Sequence, residues 1–422
     1  MPEFRQTTLA NGLRVVAEID TRGYSAAMGY FVRAGARDEV DRESGLSHFL
    51  EHMMFKGTAR RSAADVNREL DELGGQSNAY TSEEQTVYYA TVLPKFQGRL
   101  IDLLTDMLSP ALRDDDFETE RQVILEEIAK YEDQPPFGAF ERAMERHFSP
   151  RGLGRRVLGT SESIKAMTSS DMRAYFNRRY RPENIVLAAS GNVDFDGLIA
   201  DVEKLTRHWA GRGTSGSPSA DDPETLPQGI RVDANLNIDD ASQAYLVKMI
   251  PGPSIRDADR YPLRMLLSVL ADDGGSRLFW ELIDTGRAEI AAMWSQEFID
   301  DGAIFSYLVC APEEIDTNEH LMDDLLRRVT EKPETFAVDK AELSQAIGKA
   351  TSACIMGSER PGNRLFGIGS RWLTCGEYQS TDDLLALYRG VTVESVMQAA
   401  EKYLAVATQT RVIASAKPSP VG

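Results

Sequence analysis

The chain has 422 residues, and its 66 acidic side chains against 47 basic ones give a formal net charge of −19. That length suits two domains of about 200 residues rather than one core, and the acidic balance without any basic stripe argues against nucleic acid as a partner. No apolar stretch approaches the roughly 18 residues of a membrane span, so no membrane association is expected. The first residues, MPEFRQTTLANGLRVV, show neither the apolar core nor the cleavage site of a signal peptide, and the expected location is cytoplasmic.

Residues 11–19, NGLRVVAEI, alternate as a strand does. The stretch SGLSHFLEHMMFKGT, residues 44–58, predicts a buried helix with Ser44 as its cap. On such a helix His48 and His52 lie one turn apart on one side, with Glu51 on the neighbouring flank. Two imidazoles at i and i+4 form a clamp for zinc. A carboxylate beside them reaches a water on the metal without itself ligating, which makes Glu51 the candidate general base. This is the inverted order of the commoner zinc-protease motif. The plainer reading, two core histidines satisfied by hydrogen bonds, has to compete with the rarity of such a triplet in a chain with five histidines.

Zinc needs a third protein ligand, with a fourth position left for water. His147, His208 and His320 have no partners at matching spacing. Residues 114–135, DDDFETERQVILEEIAKYEDQP, predict a strong helix with an acidic first turn and a proline stop. Glu120 and Glu127, seven apart, share one face, and Glu126 projects about 100° away from Glu127. By spacing alone the third ligand is open among Glu120, Glu126 and Glu127.

Further along, residues 167–192 read as a Thr-capped helix, a turn and a buried strand. Residues 211–229, GRGTSGSPSADDPETLPQG, read as an exposed linker. After it, QAYLVKMI (243–250) repeats the opening strand pattern of 11–19, and residues 391–418 repeat the helix–turn–strand order of 167–192. The expected fold class is therefore α+β, duplicated in tandem. Residues 1–210 form the metal-binding domain and 230–422 a homologous one without the motif. Each is expected to be a mixed, largely antiparallel sheet with helices packed on one face. Cys310, Cys354 and Cys375, odd in number and far apart, argue against disulfides and thiolate metal sites and read as core thiols.

The segments HFLEHMMFKGT (48–58), GGQSNAYTSEEQTVYYATV (74–92) and ERQVILEEIAKYEDQP (120–135) resemble the pitrilysin/insulysin family of zinc peptidases. The branch is that of the mitochondrial processing peptidase β subunit and its small bacterial relatives. The resemblance is strong over the N-terminal half and weak over the C-terminal half. It implies a zinc ion held by His48, His52 and Glu127, with Glu51 activating the water and Glu120 orienting a ligand. It also implies that Asn78, Ala79 and Thr81 lie on a strand that pairs with extended peptide substrate, a main-chain mode that accepts many sequences. The implied protein is a half-clamshell zinc endopeptidase of unfolded or short peptides, working as a dimer around an acid-lined chamber.

Two positions depart from the family pattern. The arginine and tyrosine that follow its SRLF segment fall here at Ile283 and Ile290, which donate no hydrogen bonds; loss of oxyanion donors costs about 10²–10³-fold in rate. Arg287 is the nearest donor in a shifted register. A homologous subunit that supplies the pair would make this chain the zinc half of a heterodimer; the alternative is a non-catalytic core or assembly subunit of the same fold. Phe137 and Glu141 stand where import-processing relatives place acids, so only one acid is kept, which weakens the case for an arginine preference near the cleavage site.

Overall fold

The computed structural model describes residues 2–132, 134–209, 231–237, 242–405 and 409–415. Six strands of the first half, β1 (Glu3–Thr8), β2 (Arg14–Ile19), β3 (Ala26–Val32), β4 (Gln76–Thr81), β5 (Thr86–Val92) and β6 (Ile185–Gly191), form one sheet in the order β1-β2-β6-β3-β5-β4. Five of the second half, β7 (Arg231–Asn237), β8 (Ala244–Pro251), β9 (Ile290–Glu297), β10 (Gly302–Cys310) and β11 (Gln409–Ser415), form another in the order β7-β11-β8-β10-β9. Pairing is antiparallel except for β2 with β6 and β7 with β11. The fold is α+β. The segment 211–229 lies outside the described residues.

The internal repeat is visible in the caps as well as the sheets. Thr168 accepts from the Asp171 amide and starts the helix Ser169–Arg179 that leads into β6. Thr392 accepts from the Ser395 amide and starts the helix Val393–Tyr403 that leads into β11. Both strands then take the same place in their sheets, with a parallel neighbour on one side and an antiparallel one on the other. Superposing the two orders on this strand corrects one expectation. The counterpart of β8 is β3, and that of β2 is β7; short apolar runs report a strand but not its position in a sheet.

The chain divides into two compact units that do not coincide with its two halves. Ile355–Gln379 belongs with the first sheet, and Lys130–Pro150 with the second. The contiguous domains expected at 1–210 and 230–422 are thus each interrupted by an exchanged helix. The physical reason is that each sheet has two apolar faces. In the first unit Val16, Ala27, Phe31, Val87, Val186 and Ala188 are covered by Leu365, Ile368 and Leu373 of the helix Pro361–Cys375. Gly369 makes this approach possible, because a Cβ there would lie 2.3 Å from the Phe31 ring. Buried Glu18 fastens the helix, accepting from Arg364 Nε at 2.8 Å and from the Tyr378 hydroxyl at 2.7 Å. In the second unit the helix Pro135–Phe148 packs on β11, β8 and β7, and the Phe140 ring lies 5.0 Å from that of Tyr307. Each sheet therefore carries its own half's helices on one face, as expected, and a helix from the other half on the opposite face.

The inner face of the first sheet positions the candidate site. Val15, Met28, Tyr30 and Tyr88 pack against Leu46, Phe49, Leu50 and Met53 of the helix Leu46–Met54 and against Phe117, Ile124 and Ile128 of the helix Asp114–Glu132. Phe49 and Phe117 stack between the two helices with ring centroids 4.5 Å apart. Burying each such ring contributes about 1.5–3 kcal/mol. Cys310 is buried, as a core thiol should be; Cys354 and Cys375, also expected in the core, are only half-buried, and none of the three forms a disulfide. No helix among the described residues is long and apolar enough to cross a membrane.

Candidate metal centre

The histidine helix, Leu46–Met54, begins at Gly45 in the left-handed region, φ 90° and ψ 0°. A side chain there would meet Leu158 O at 2.5 Å as well as the φ strain. Ser44, the expected cap, makes no capping bond. Buried Glu39 does its work instead, accepting from the Gly45 amide at 2.8 Å and the Ser47 amide at 2.7 Å. These are amides that a helix start leaves without partners. Burial pushes the Glu39 carboxyl up to about 8, against the pull of those hydrogen bonds.

This helix and the acidic helix, Asp114–Glu132, bring three donors together. Glu127 Oε2 lies 3.8 Å from His48 Nε2 and 3.6 Å from His52 Nε2, and the imidazole centroids are 4.6 Å apart at 65°. Among the described residues these three side chains form the one group able to hold a metal ion, with ligand atoms within 4.8 Å of one another. A tetrahedral zinc site, with bonds of about 2.0–2.2 Å, sets its ligands about 3.3–3.6 Å apart. The gap therefore closes with small side-chain shifts.

The three glutamates left open by spacing separate cleanly. Glu127 joins the cluster. Glu126 is exposed. Glu120, 4% exposed, accepts from His52 Nδ1 at 2.8 Å and pairs through its other oxygen with Lys56. With Nδ1–H committed to Glu120, the lone pair of His52 sits on Nε2, facing Glu127. His48 Nδ1 is buried without a partner. Burial, then the neighbouring His52, holds the His48 imidazole down to about 3, so it is neutral and can donate its lone pair. Burial also pulls on His52, but the hydrogen bond and charge of Glu120 overcome it and hold His52 above its ordinary value.

Glu51 stands beside the cluster and outside it. Its Oε2 accepts from Thr81 Oγ1 at 2.6 Å. Burial pushes its carboxyl above the ordinary range, partly offset by the Thr81 bond and by His52. Thr81 ends β4, which is an edge strand. At the hairpin the Ser82 amide bonds Gln85 O at 2.9 Å. Alternation from there turns the main-chain groups of Ser77, Ala79 and Thr81 to the open edge. Asn78 is exposed, and its Oδ1 accepts from the Ala79 amide at 2.9 Å.

The remaining sequence candidates lie elsewhere. Buried His147 is 3.3 Å from Thr410 Oγ1, and neither His208 nor His320 belongs to the cluster. Ile283 packs half-buried on the second core, Ile290 opens β9 at 36% exposure, and Arg287 is exposed. Phe137 is exposed against the Tyr131 ring, and Glu141 is half-buried. Sequence reasoning missed Glu39, Lys56 and the side-chain role of Thr81. Lys56, one turn past His52, was legible as a helix neighbour; the other two required the tertiary fold.

Two imidazoles and one carboxylate, with a fourth position unfilled by protein, are the donor set of a catalytic rather than a structural zinc site. Residues 14–161 match the family model Insulinase (Peptidase family M16), and residues 166–349 match Peptidase M16 inactive domain. The chain is 33% identical to an uncharacterized zinc protease of Streptomyces coelicolor, over 95% of this chain and 87% of that one. It is 29% identical to the probable mitochondrial-processing peptidase subunit beta of Arabidopsis thaliana, over 96% of this chain and 76% of that one. The crystal structure of a protease from Helicobacter pylori shares the fold with a TM-score of 0.91, at 21% identity over 99% and 100% of the two chains. The chain belongs to the insulinase family of peptidases, family M16, and its cofactor is zinc.

Proposed function

We propose that this chain is a zinc-dependent endopeptidase of unfolded or short peptides, with His48, His52 and Glu127 as ligands and Glu51 as general base. The carrying observation is the convergence of His48 Nε2, His52 Nε2 and Glu127 Oε2 while Glu51, on the same helix, stays outside the cluster. A zinc ion held by these three side chains would supply Lewis-acid polarisation of the scissile carbonyl and a lowered pKa for a water. Glu51 takes the proton of the attacking water and returns it to the leaving amine. Glu120 fixes the tautomer and orientation of His52. The open edge of β4 receives an extended peptide through the main-chain groups of Ser77, Ala79 and Thr81, with Asn78 beside them.

The apolar Ile283 and Ile290 support a divided site, in which this chain is the zinc-bearing subunit of a dimer and a homologous subunit supplies the arginine and tyrosine. The same two residues favour the second reading, a non-catalytic core or assembly subunit. Hydrolysis of a quenched peptide by the purified chain, alone and mixed with a homologous chain, separates these, with chelator and Glu51→Gln as controls. Chelator-sensitive cleavage that needs the mixture supports the divided site, and cleavage by the chain alone overturns it. A zinc-loaded chain silent in both arrangements supports the second reading.

A further inference from the structure

We infer that Thr81 is the positioning residue of Glu51: its hydroxyl holds Oε2 and so leaves Oε1 as the atom that exchanges the proton. The inference rests on the reading of Glu51 as the general base. A glutamate side chain has a broad terminal torsion, and its two oxygens are equivalent until a neighbour distinguishes them. Here one neighbour does. Thr81 Oγ1 lies 2.6 Å from Glu51 Oε2, and no other hydrogen bond to the Glu51 carboxylate is made by the described residues.

The direction of that bond follows from the next hydroxyl. Thr81 Oγ1 is also 3.4 Å from Thr86 Oγ1, and the proton of fully buried Thr86 is committed to Ala34 O at 2.8 Å. Thr86 therefore offers Thr81 only lone pairs. The single Thr81 proton has two acceptors to choose from, and it goes to the nearer, charged one, since charge-assisted bonds are about twice as strong as neutral ones. Glu51 needs no exchange of protons with Thr81: the proton arrives at Oε1 from water and leaves Oε1 for the amine, while the Thr81 proton stays on its oxygen.

This gives Thr81 a second function on a strand whose main chain faces substrate. The two functions come apart on substitution, because Thr81→Val keeps the shape and the main-chain groups of β4 and removes only the hydroxyl. In whichever arrangement the wild-type chain hydrolyses peptide, Thr81→Val is expected to lower kcat about 10–100-fold with KM within about twofold and zinc affinity unchanged. Thr81→Ser, which keeps the hydroxyl, is expected within about threefold of wild type. Crystal structures of wild type and Thr81→Val give a readout independent of turnover: one Glu51 carboxylate orientation in the former, several in the latter. Wild-type kcat in Thr81→Val, a Glu51 carboxylate unmoved in its crystal structure, or a change confined to KM or zinc affinity overturns the inference. Wild-type kcat in Glu51→Gln overturns instead the reading of Glu51 as base.

Discussion

Glu120 Oε1 lies 2.8 Å from His52 Nδ1, and that contact commits one nitrogen of the imidazole to the protein and leaves the lone pair of the other, Nε2, facing Glu127. Lys56 pairs with the other Glu120 oxygen and keeps the carboxylate ionised and in place. Hydrogen bonds to His52 and Lys56 offset burial and hold the Glu120 carboxyl below its ordinary value.

Glu120→Gln should therefore weaken zinc binding about 10–100-fold without removing a ligand. Competition against a chelator of known affinity measures it. Glu126→Gln, at an exposed position six residues on, should bind as wild type does.

Zinc removal should lower the thermal midpoint. An ion held by His48, His52 and Glu127 binds only the folded chain, which adds about 2.7 kcal/mol at a free concentration 100 times Kd. Calorimetry with and without chelator tests this, and the shift should vanish in Glu127→Ala. Affinity should also fall on acidification, by about tenfold per pH unit once His52 is protonated. His52 sets that window because His48, held down to about 3, stays neutral throughout.

Glu39 should make stability depend on pH in the less common sense. Its folded pKa of about 8 lies above the ordinary 4.5, so between those values the folded chain binds the proton more tightly than the unfolded one. Its contribution is fully present below about pH 4.5 and is lost as pH rises towards 8, at no more than about 1.4 kcal/mol per unit. Glu39→Gln should flatten that decline. Urea midpoints of both proteins at pH 5, 6.5 and 8 show whether it does.

Arg364→Met should destabilise the first unit by about 3 kcal/mol, because it leaves Glu18 buried with only Tyr378 as donor. The double variant Glu18→Gln, Arg364→Met should recover much of the loss, since the uncompensated charge, more than the missing bond, carries the penalty. Denaturant unfolding of the three proteins decides.

The histidine pair, its flanking Glu51 and the shared face of Glu120 and Glu127 were legible in the sequence, because helical periodicity alone fixes which side chains one helix presents together. The capped helix–strand repeat was legible for the same local reason. Which glutamate completes the cluster was legible from the family resemblance but not from spacing, since Glu127 reaches the histidines only through the packing of two helices across Phe49 and Phe117. Packing also replaced Ser44 by Glu39 at the helix start, turned the Thr81 hydroxyl to Glu51, and sent the helices Pro135–Phe148 and Pro361–Cys375 to the opposite halves' sheets. Spacing along the chain determines the partners of a residue within its own helix or strand. Partners tens or hundreds of residues away are decided by which apolar faces remain to be covered, and that is settled only when the whole core closes.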